Sequence, residues 1–417
     1  MYFMPTIPEK TPRSPDARFI AALAAISLIG PLSIHMFLPV MPVVKSVFVI
    51  SDALAGLTFS VSLFVMAFAN LLYGSLSDRY GRRPVLLSGL FLFTLGSAVS
   101  AMAQSVSSLI AGRVIQALGA GSGVPLSRAI ARDAYGTDVL VKVIAYLTMA
   151  YTLGPMISPL AGGLLLDLSG FRAVFWFAGI SGVLITAAAY AVLYETRSKE
   201  EDQRSHPGFL RNYAALFSQA RFTAFVLQTG LCTGTFLAMA SASSFLMKEY
   251  LGRSATEFGM YFLLFPTGFF LGTLVSGRLS QRVSVETMVL AGSVVHALAV
   301  AFQAASILAG HLTPLILFIP GFFITFGQGV ALPNAQVGAI RVIPALAGTA
   351  AGIGVFCQNF LGAVFAQIYT LFADGTPLPM VATVVSGAIL TLAAGVTPFI
   401  LKRRRQSPSR GPIISRQ

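Results

Sequence analysis

Two long apolar runs are separated by the polar stretch Gly74-Ser75-Leu76-Ser77-Asp78-Arg79-Tyr80-Gly81-Arg82-Arg83-Pro84. It carries one acidic and three basic side chains, and a charged side chain at the centre of a bilayer costs about 2.5–3.5 kcal/mol. We therefore expect a short loop at one face of a membrane. Gly81 is expected to reverse the chain at positive φ, with Pro84 in the first turn of the next helix. The excess of arginine predicts a cytoplasmic face.

The composition is that of an integral membrane protein. Of 417 residues, 55% are hydrophobic and 10% are charged, against about 25% charged in an average soluble domain. The net charge of +13 does not indicate a nucleic-acid partner, because almost all lysines and arginines lie in alternate loops and tails. We expect no metal or other cofactor, because Cys232 and Cys357 form no ligand pattern and no glycine-rich phosphate loop occurs.

Hydrophobic run lengths predict about twelve spans, since a helix needs about 20 apolar residues to cross a bilayer. The predicted spans are 19–40, 53–74, 85–103, 106–126, 143–166, 173–193, 222–246, 257–276, 287–308, 314–335, 347–372 and 378–401. Each segment assigned to the cytoplasm is basic, so both termini are predicted to be cytoplasmic. The expected organisation is a tail at 1–18, a bundle at 19–193, a linker at 194–221, a bundle at 222–401 and a basic tail at 402–417.

The two predicted bundles repeat each other in sequence. The hexapeptide that starts at Gly74 matches the one that starts at Gly277, an offset of 203 residues, and Gly89 matches Gly292 at the same offset. Parallel repeats of this kind place a binding site between the halves, near the middle of the membrane. Gln281 stands where the first copy has Asp78, so a charge-dependent switch is expected in the first half alone.

The fourth and fifth predicted spans contain unusual residues. In the fourth, Arg113 and Gln116 share a helical face, and an arginine so deep is expected to point inward and be paired or hydrated. The alternative is an arginine that extends to a membrane interface. The fifth combines two prolines with glycines that allow close packing, and its alternative is a purely structural kink. Its five residues are Gly154, Pro155, Pro159, Gly162 and Gly163.

The opening stretch closely resembles the loop between helices 2 and 3 of the major facilitator superfamily, although an ordinary positive-inside hairpin is the simpler interpretation. The fourth span resembles that superfamily's Arg-x-x-Gln-Gly-x-Gly motif, with Ala117 in place of the first glycine. The fifth resembles the motif typical of its exporters. The endings Leu38-Pro39-Val40-Met41-Pro42 and Gly327-Gln328-Gly329-Val330-Ala331-Leu332-Pro333-Asn334 narrow the resemblance to drug:proton antiporters of the bicyclomycin and chloramphenicol resistance (Bcr/CflA) type.

This resemblance implies an all-α polytopic membrane protein with the major facilitator fold, in which about twelve helices form two six-helix bundles. It implies secondary active efflux of small hydrophobic compounds or drugs across the bacterial inner membrane by proton antiport, and no enzymatic activity. The partners expected are a small-molecule substrate, protons and the lipid bilayer, and the chain is expected to be a monomer. A proton-coupled importer and a non-transporting membrane sensor are the alternatives.

The resemblance also implies functional residues. Many relatives have an aspartate where this chain has His35, and none of the 15 acidic residues falls in the interior of a predicted span, since Asp167 and Glu257 lie at span ends. His35 is the natural substitute, because the unperturbed pKa of histidine is about 6.5, although it can instead be a neutral hydrogen-bonding residue. Arg113 is the second candidate for proton coupling, and His296 is a weaker one in a span that is peripheral in the superfamily.

Two further sets of residues follow from span membership and from the superfamily motif. The candidates for lining a substrate cavity, which can equally be packing residues, are Phe37, Gln116, Tyr151, Phe236, Met239 and Phe326. The opening stretch is expected to latch the cytoplasmic ends of the two halves together in the outward-facing state. The latch residues are Gly74, Asp78, Arg79, Gly81, Arg82 and Arg83.

Overall fold

A computed structural model of the chain describes residues 16–135, 137–197 and 209–406. The described residues form helices and connecting turns, without a strand. Most of the predicted tails, and the charged part of the predicted linker that follows residue 197, lie outside the described residues.

The prediction of twelve spans is confirmed by twelve helices that are long and apolar enough to cross a membrane. They are α1 (Ala17–Phe48), α2 (Asp52–Tyr80), α3 (Arg82–Ala101), α4 (Val106–Ala134), α5 (Val139–Ser169), α6 (Phe171–Val192), α7 (Ala220–Tyr250), α8 (Ala255–Leu279), α9 (Val285–Leu308), α10 (Pro314–Ile340), α11 (Pro344–Phe372) and α12 (Leu378–Lys402). A short helix, Phe209–Phe217, precedes α7. We call the end of the bundle at which α1 begins and α12 ends the terminal end, and the opposite end the distal end.

The loop predicted at residues 74–84 is mostly helical. Helix α2 continues through Tyr80 and α3 begins at Arg82, so only Gly81, at φ 97°, separates them. Similarly, α4 continues to Ala134, beyond the predicted end at residue 126. The apolar run limits the length within the hydrocarbon, but the backbone hydrogen bonds of a helix extend readily into water. The predicted reversal at Gly81 is confirmed, and the predicted loop is too long.

Helix α1 is interrupted twice. Its pieces are Ala17–Ser27, Ile29–His35 and Met41–Phe48, with a 3₁₀ turn at Leu38–Val40. Prolines at 31, 39 and 42 explain the interruptions, because proline lacks the backbone N–H that a helix interior requires. Residues 35–37 therefore lie at a break in the helix at membrane depth, where irregular backbone must be buried in protein or line a cavity.

The sequence repeat corresponds to a repeated packing of helices. At Gly89 of α3, a Cβ atom would meet Ser122 and the carbonyl of Gly119 in α4. At the matching Gly292 of α9, a Cβ would meet the carbonyl of Gly327 in α10. The third and fourth helices of each half thus pack closely at equivalent glycines.

Candidate functional site

The centre of the first half is occupied by the side chain of Arg113, which is only 1% exposed. Its Nε donates to the Thr58 carbonyl at 3.2 Å, and its Nη1 donates to the Ser33 carbonyl at 2.9 Å. The ring of Phe37 covers the guanidinium at 4.4 Å. Arg113 therefore points into the bundle, as expected, and does not extend to a membrane interface.

Gln116 holds this arginine from the same helix. Its Oε1 accepts a hydrogen bond of 2.6 Å from Nη1 of Arg113, which confirms that the two side chains share a face of α4. Its Nε2 donates to Oγ of Ser97 in α3 at 2.8 Å. Carbonyl and amide dipoles therefore surround the arginine. The acids in the described spans lie within the first or last few residues of a helix, so none of them pairs with Arg113.

His35 lies at the interface between the two halves. It ends the second piece of α1, and its Nδ1 is 3.3 Å from the Pro31 carbonyl. Its partly exposed ring stands edge-on to Phe262 of α8, with centroids 6.4 Å apart. The break in α1 thus places the histidine beside the second half, two residues from Phe37, which covers Arg113.

The structure separates the predicted cavity-lining residues into two groups. Tyr151 is 42% exposed, and Phe236 and Phe326 are partly exposed. Phe37, Gln116 and Met239 are buried between helices, and their place in a cavity lining stays a prediction. Helix faces that pack together and faces that line an opening are both apolar in such a bundle, so residue type did not distinguish them.

His296 occupies the core of the second half. Its Nδ1 is 3.3 Å from the Ile324 carbonyl of α10 and 3.5 Å from Sγ of Cys232 in α7. The side chain is fully buried within the second half. The expectation that its span is peripheral refers to the cavity between the halves and stays a prediction. Both cysteines are free.

The latch residues form an ion-pair network within the first half. Arg82 lies 2.5 Å from Asp78 and 2.9 Å from Asp133 at the end of α4. The same guanidinium donates to Oγ of Ser77 at 2.7 Å. Asp133 lies beyond residue 126, where the fourth span was predicted to end, so the sequence did not indicate its contribution to this network.

Glu195 is a second residue that sequence reasoning missed. Its carboxylate accepts from the backbone N–H groups of Arg82 at 3.0 Å and Arg83 at 3.1 Å, and from that of Arg197 at 2.9 Å. A Cβ at Gly81 would meet this carboxylate. Helix α3 has no acid in its own first turn, so an anion from elsewhere in the chain was needed at its positive N-terminus. The lack of an acid in the first turn of α3 was the signal in the sequence that could have indicated an acidic partner from elsewhere in the chain.

Polar contacts join the two halves at the distal end. Lys45 of α1 forms ion pairs of 2.8 Å with Asp52 of α2 and Glu249 of α7. Asp167 of α5 accepts from the backbone N–H of Thr256 at 2.8 Å and from its hydroxyl at 2.6 Å, at the start of α8.

Close backbone packing accompanies these polar contacts. At Gly163 of α5 a Cβ would meet the carbonyl of Ala255, and at Gly259 of α8 it would meet the Cα of Leu160. Gly154 and Gly162 both face α1, which confirms that they share a face of α5. Pro155 and Pro159 lie inside a continuous helix. The helix 5 motif therefore packs α5 against α1 and, at Gly163, against the second half.

The terminal end is organised differently. The ion pairs of Arg82 and the cap formed by Glu195 stay within the first half. The pairs of Glu286 with Arg221 and with Lys402 stay within the second. Among the described residues, no hydrogen bond or ion pair joins the halves here, and Asp78 remains 51% exposed. The polar contacts that join the halves among the described residues therefore lie toward the distal end.

Two repeated halves of six spans, joined by polar contacts toward the distal end, are the architecture of a secondary membrane transporter. The family model described as Major Facilitator Superfamily matches residues 23–366, and the chain belongs to that superfamily. It is 25% identical to a bicyclomycin resistance protein homolog of Haemophilus influenzae, over 93% of this chain and 97% of that protein. It is 26% identical to multidrug resistance protein D of Escherichia coli, over 85% and 89% of the two chains.

Solved structures share the fold. A bacterial homolog to the human lysosomal transporter Spinster, in an inward-facing and unoccupied conformation, matches with a TM-score of 0.74 at 17% identity, covering 95% of this chain and 100% of that one. A D-xylose-proton symporter matches with a TM-score of 0.73 at 13% identity, covering 92% and 97%.

Proposed function

We propose that the protein exports small hydrophobic compounds, drugs among them, across the bacterial inner membrane in exchange for protons. The observation that carries the proposal is a pair of repeated halves whose polar contacts lie toward the distal end, in a chain similar along most of its length to bicyclomycin and multidrug resistance proteins. The two bundles at 19–193 and 222–401 rock against each other around the region between His35 and Phe262.

The charge distribution supports an orientation with both chain ends in the cytoplasm. Basic residues follow the terminal end of every second span, and the positive-inside rule assigns such segments to the cytoplasm. The terminal end is then the cytoplasmic end, and the distal contacts join the halves on the external side. The latch residues close the terminal end in the outward-facing state.

A drug-susceptibility panel tests the proposal. Expression in a host that lacks its own efflux pumps should raise the inhibitory concentration of several chemically unrelated hydrophobic compounds. In inside-out vesicles, an imposed proton gradient should drive uptake of those compounds, because the export direction points into such vesicles. Unchanged susceptibility would refute export, and gradient-driven loss from the vesicles would favour the importer.

His35 is the group that we assign to proton coupling, with Arg113 as its neighbour. The histidine is a titratable side chain at the interface of the halves, away from the ion pairs of the distal end, in a protein whose described spans carry no acid near their centres. His35→Gln should abolish substrate-driven proton release while substrate binding to the purified protein remains.

His311→Gln is the matched control, because that histidine is exposed in the turn between α9 and α10. It should behave like the unmodified protein. Normal proton release by His35→Gln would remove His35 from the coupling mechanism.

A further inference from the structure

The central arginine and two serines on the helices that hold it each carry a buried polar atom without a hydrogen-bond partner among the described residues. They are Nη2 of Arg113, Oγ of Ser33 and Oγ of Ser62. All three side chains are at most 2% exposed. A buried donor without a partner loses the hydrogen bonds that it makes in water, so native proteins rarely leave one unsatisfied. Here such an atom belongs to the buried arginine itself, and two more belong to serines of the helices whose carbonyls it contacts.

The two serines lie beside the carbonyls that hold the arginine. Ser33 supplies one of these carbonyls itself. Ser62 follows Thr58, which supplies the other, by one helical turn. Thr58, Ser62 and Met66 recur at intervals of four residues and share a face of α2. Met66 reaches α1 at Gly30, so this face is turned toward α1.

The charge of the site determines what it can bind. Arginine only donates hydrogen bonds and stays protonated, and a serine hydroxyl can also donate. No carboxylate of the described chain neutralises Arg113, and an uncompensated charge in a low-dielectric interior is costly. A water molecule would satisfy hydrogen bonds but would not neutralise the charge. An anionic group would do both.

We propose that Arg113, Ser33 and Ser62 bind an anionic group of the exported compound, at a site that a small inorganic anion such as chloride can share. The proposal deepens the proposed efflux function by naming a substrate class, namely amphiphiles with a negatively charged head and not lipophilic cations. Phe37, which covers the guanidinium, belongs to the interrupted part of α1, where no continuous helix holds the backbone.

Three ring-matched probes test the charge preference. They are 2-naphthoate, neutral 2-naphthamide and the cation 2-naphthylmethylammonium, titrated calorimetrically into the purified full-length protein in chloride-free gluconate buffer. Naphthoate should bind tighter than the cation by about tenfold or more, which is the scale of one charge-assisted hydrogen bond. Equal affinities, or no binding of naphthoate, would overturn the proposal.

Variants test whether the preference for an anionic probe arises at Arg113, Ser33 and Ser62. Arg113→Gln should abolish it, whereas Arg132→Gln, the same change at a 60% exposed arginine near the end of the same helix, should leave it intact. The Ser33→Ala, Ser62→Ala double variant keeps the arginine and should weaken naphthoate binding by several-fold, so it decides the matter if Arg113→Gln does not fold. A preference that survives in the double variant and in a folded Arg113→Gln would refute the site.

Chloride identifies the source of the anion. Replacing gluconate by chloride should weaken naphthoate binding if an inorganic anion shares the site, and should leave it unchanged if only the organic anion fits. Failure of the efflux proposal can be distinguished from failure of the anion-site proposal. A protein that binds naphthoate through Arg113 but confers no resistance would refute efflux alone. Export of compounds by a protein that binds the three probes equally would refute this inference alone.

Discussion

One carboxylate, Glu195, accepts hydrogen bonds from two backbone N–H groups at the start of α3 and from that of Arg197 in its own segment. An acidic side chain at the N-terminus of a helix satisfies donors that have no partner within the helix and interacts favourably with the helix dipole. Helix α3 begins with two arginines and has no side-chain cap of its own. Glu195 therefore anchors the segment that follows α6 to the start of α3.

Glu195→Gln should lower the thermal unfolding midpoint of the purified protein, because the amide loses the charge and one acceptor oxygen, at a cost of about 1 kcal/mol. Glu257→Gln is the control, since that acid lies in the first turn of α8, where Ser254 already caps the helix. The control should show a smaller shift. Equal midpoints for the two variants would contradict the capping role.

A second prediction at this scale concerns Gly259, whose hydrogen packs against the backbone of α5. Gly259→Ala should push α8 away from α5, because the added Cβ would lie 2.6 Å from the Cα of Leu160. We expect it to disfavour the contact at the distal end and to reduce transport. Gly277→Ala, in the same helix and with open space at its Cβ, should retain transport. Cysteine labelling at the distal end measures the change, and equal labelling of both variants would show that the contact tolerates a methyl group.

At the scale of elements, α1, α5, α7 and α8 are joined at the distal end by Lys45 and Asp167. Partly exposed ion pairs contribute about 0–1 kcal/mol, and a charged hydrogen bond about 1.5–3 kcal/mol. Together they are of the size that shifts a two-state equilibrium by an order of magnitude or more. The distal contacts therefore favour the state seen in the structure.

The double variant Lys45→Met, Asp167→Asn should shift the carrier away from this state, with distal-end cysteines becoming more reactive and terminal-end cysteines less so. Arg253→Gln is the control, because its partner Glu257 lies on the same half. Single-cysteine labelling after replacement of Cys232 and Cys357 measures both faces. No difference between the double variant and the control would show that close packing alone holds the distal end.

At the scale of the whole molecule, transport requires the terminal end to close. In this structure Asp78 pairs with Arg82, which Asp133 also holds, so the first half keeps its own network. In the opposite state we expect Asp78 to lie near a helix N-terminus of the second half. Such a contact contributes about 0.3–1 kcal/mol when exposed and up to about 2 kcal/mol when partly buried.

Asp78→Asn should therefore leave folding and membrane insertion intact, because Arg82 retains Asp133. It should bias the carrier toward the terminal-open state by up to about thirtyfold and slow turnover. The direction is opposite to that of the Lys45 and Asp167 variant, so the same labelling sites report both. Asp374→Asn, at a fully exposed acid in the turn between α11 and α12, is the control. Full transport with unchanged labelling in Asp78→Asn would reduce the stretch to a topology signal.

The orientation of the molecule is a separate prediction. A reporter fused after residue 401 should behave as cytoplasmic, and one fused near Asp374 should behave as external, because basic residues concentrate at the terminal end. A swapped result at either fusion would overturn the assignment of the terminal end to the cytoplasm.

Features that depend only on the order of residues along the chain were predictable from the sequence. The bilayer requires apolar runs of a given length and excludes charge, so run length and charge position predicted the number of spans and the repeat. The inward orientation of Arg113 follows from its position within an apolar run, and its shared face with Gln116 follows from helix periodicity; both are confirmed. The reversal at Gly81 follows from the conformational freedom of glycine.

The tertiary structure alone decided which helix faces meet and which distant side chains pair. Glu195 lies 113 residues from Arg82, and Glu249 lies 204 residues from Lys45. No local pattern links such positions. In a membrane bundle, lipid and protein interior are equally apolar, so the face of a helix is not encoded by alternation of polar and apolar residues. That is why Phe37 and Met239 could not be recognised as buried from the sequence. It is also why the polar atoms without partners on Arg113, Ser33 and Ser62 became visible only in the tertiary structure.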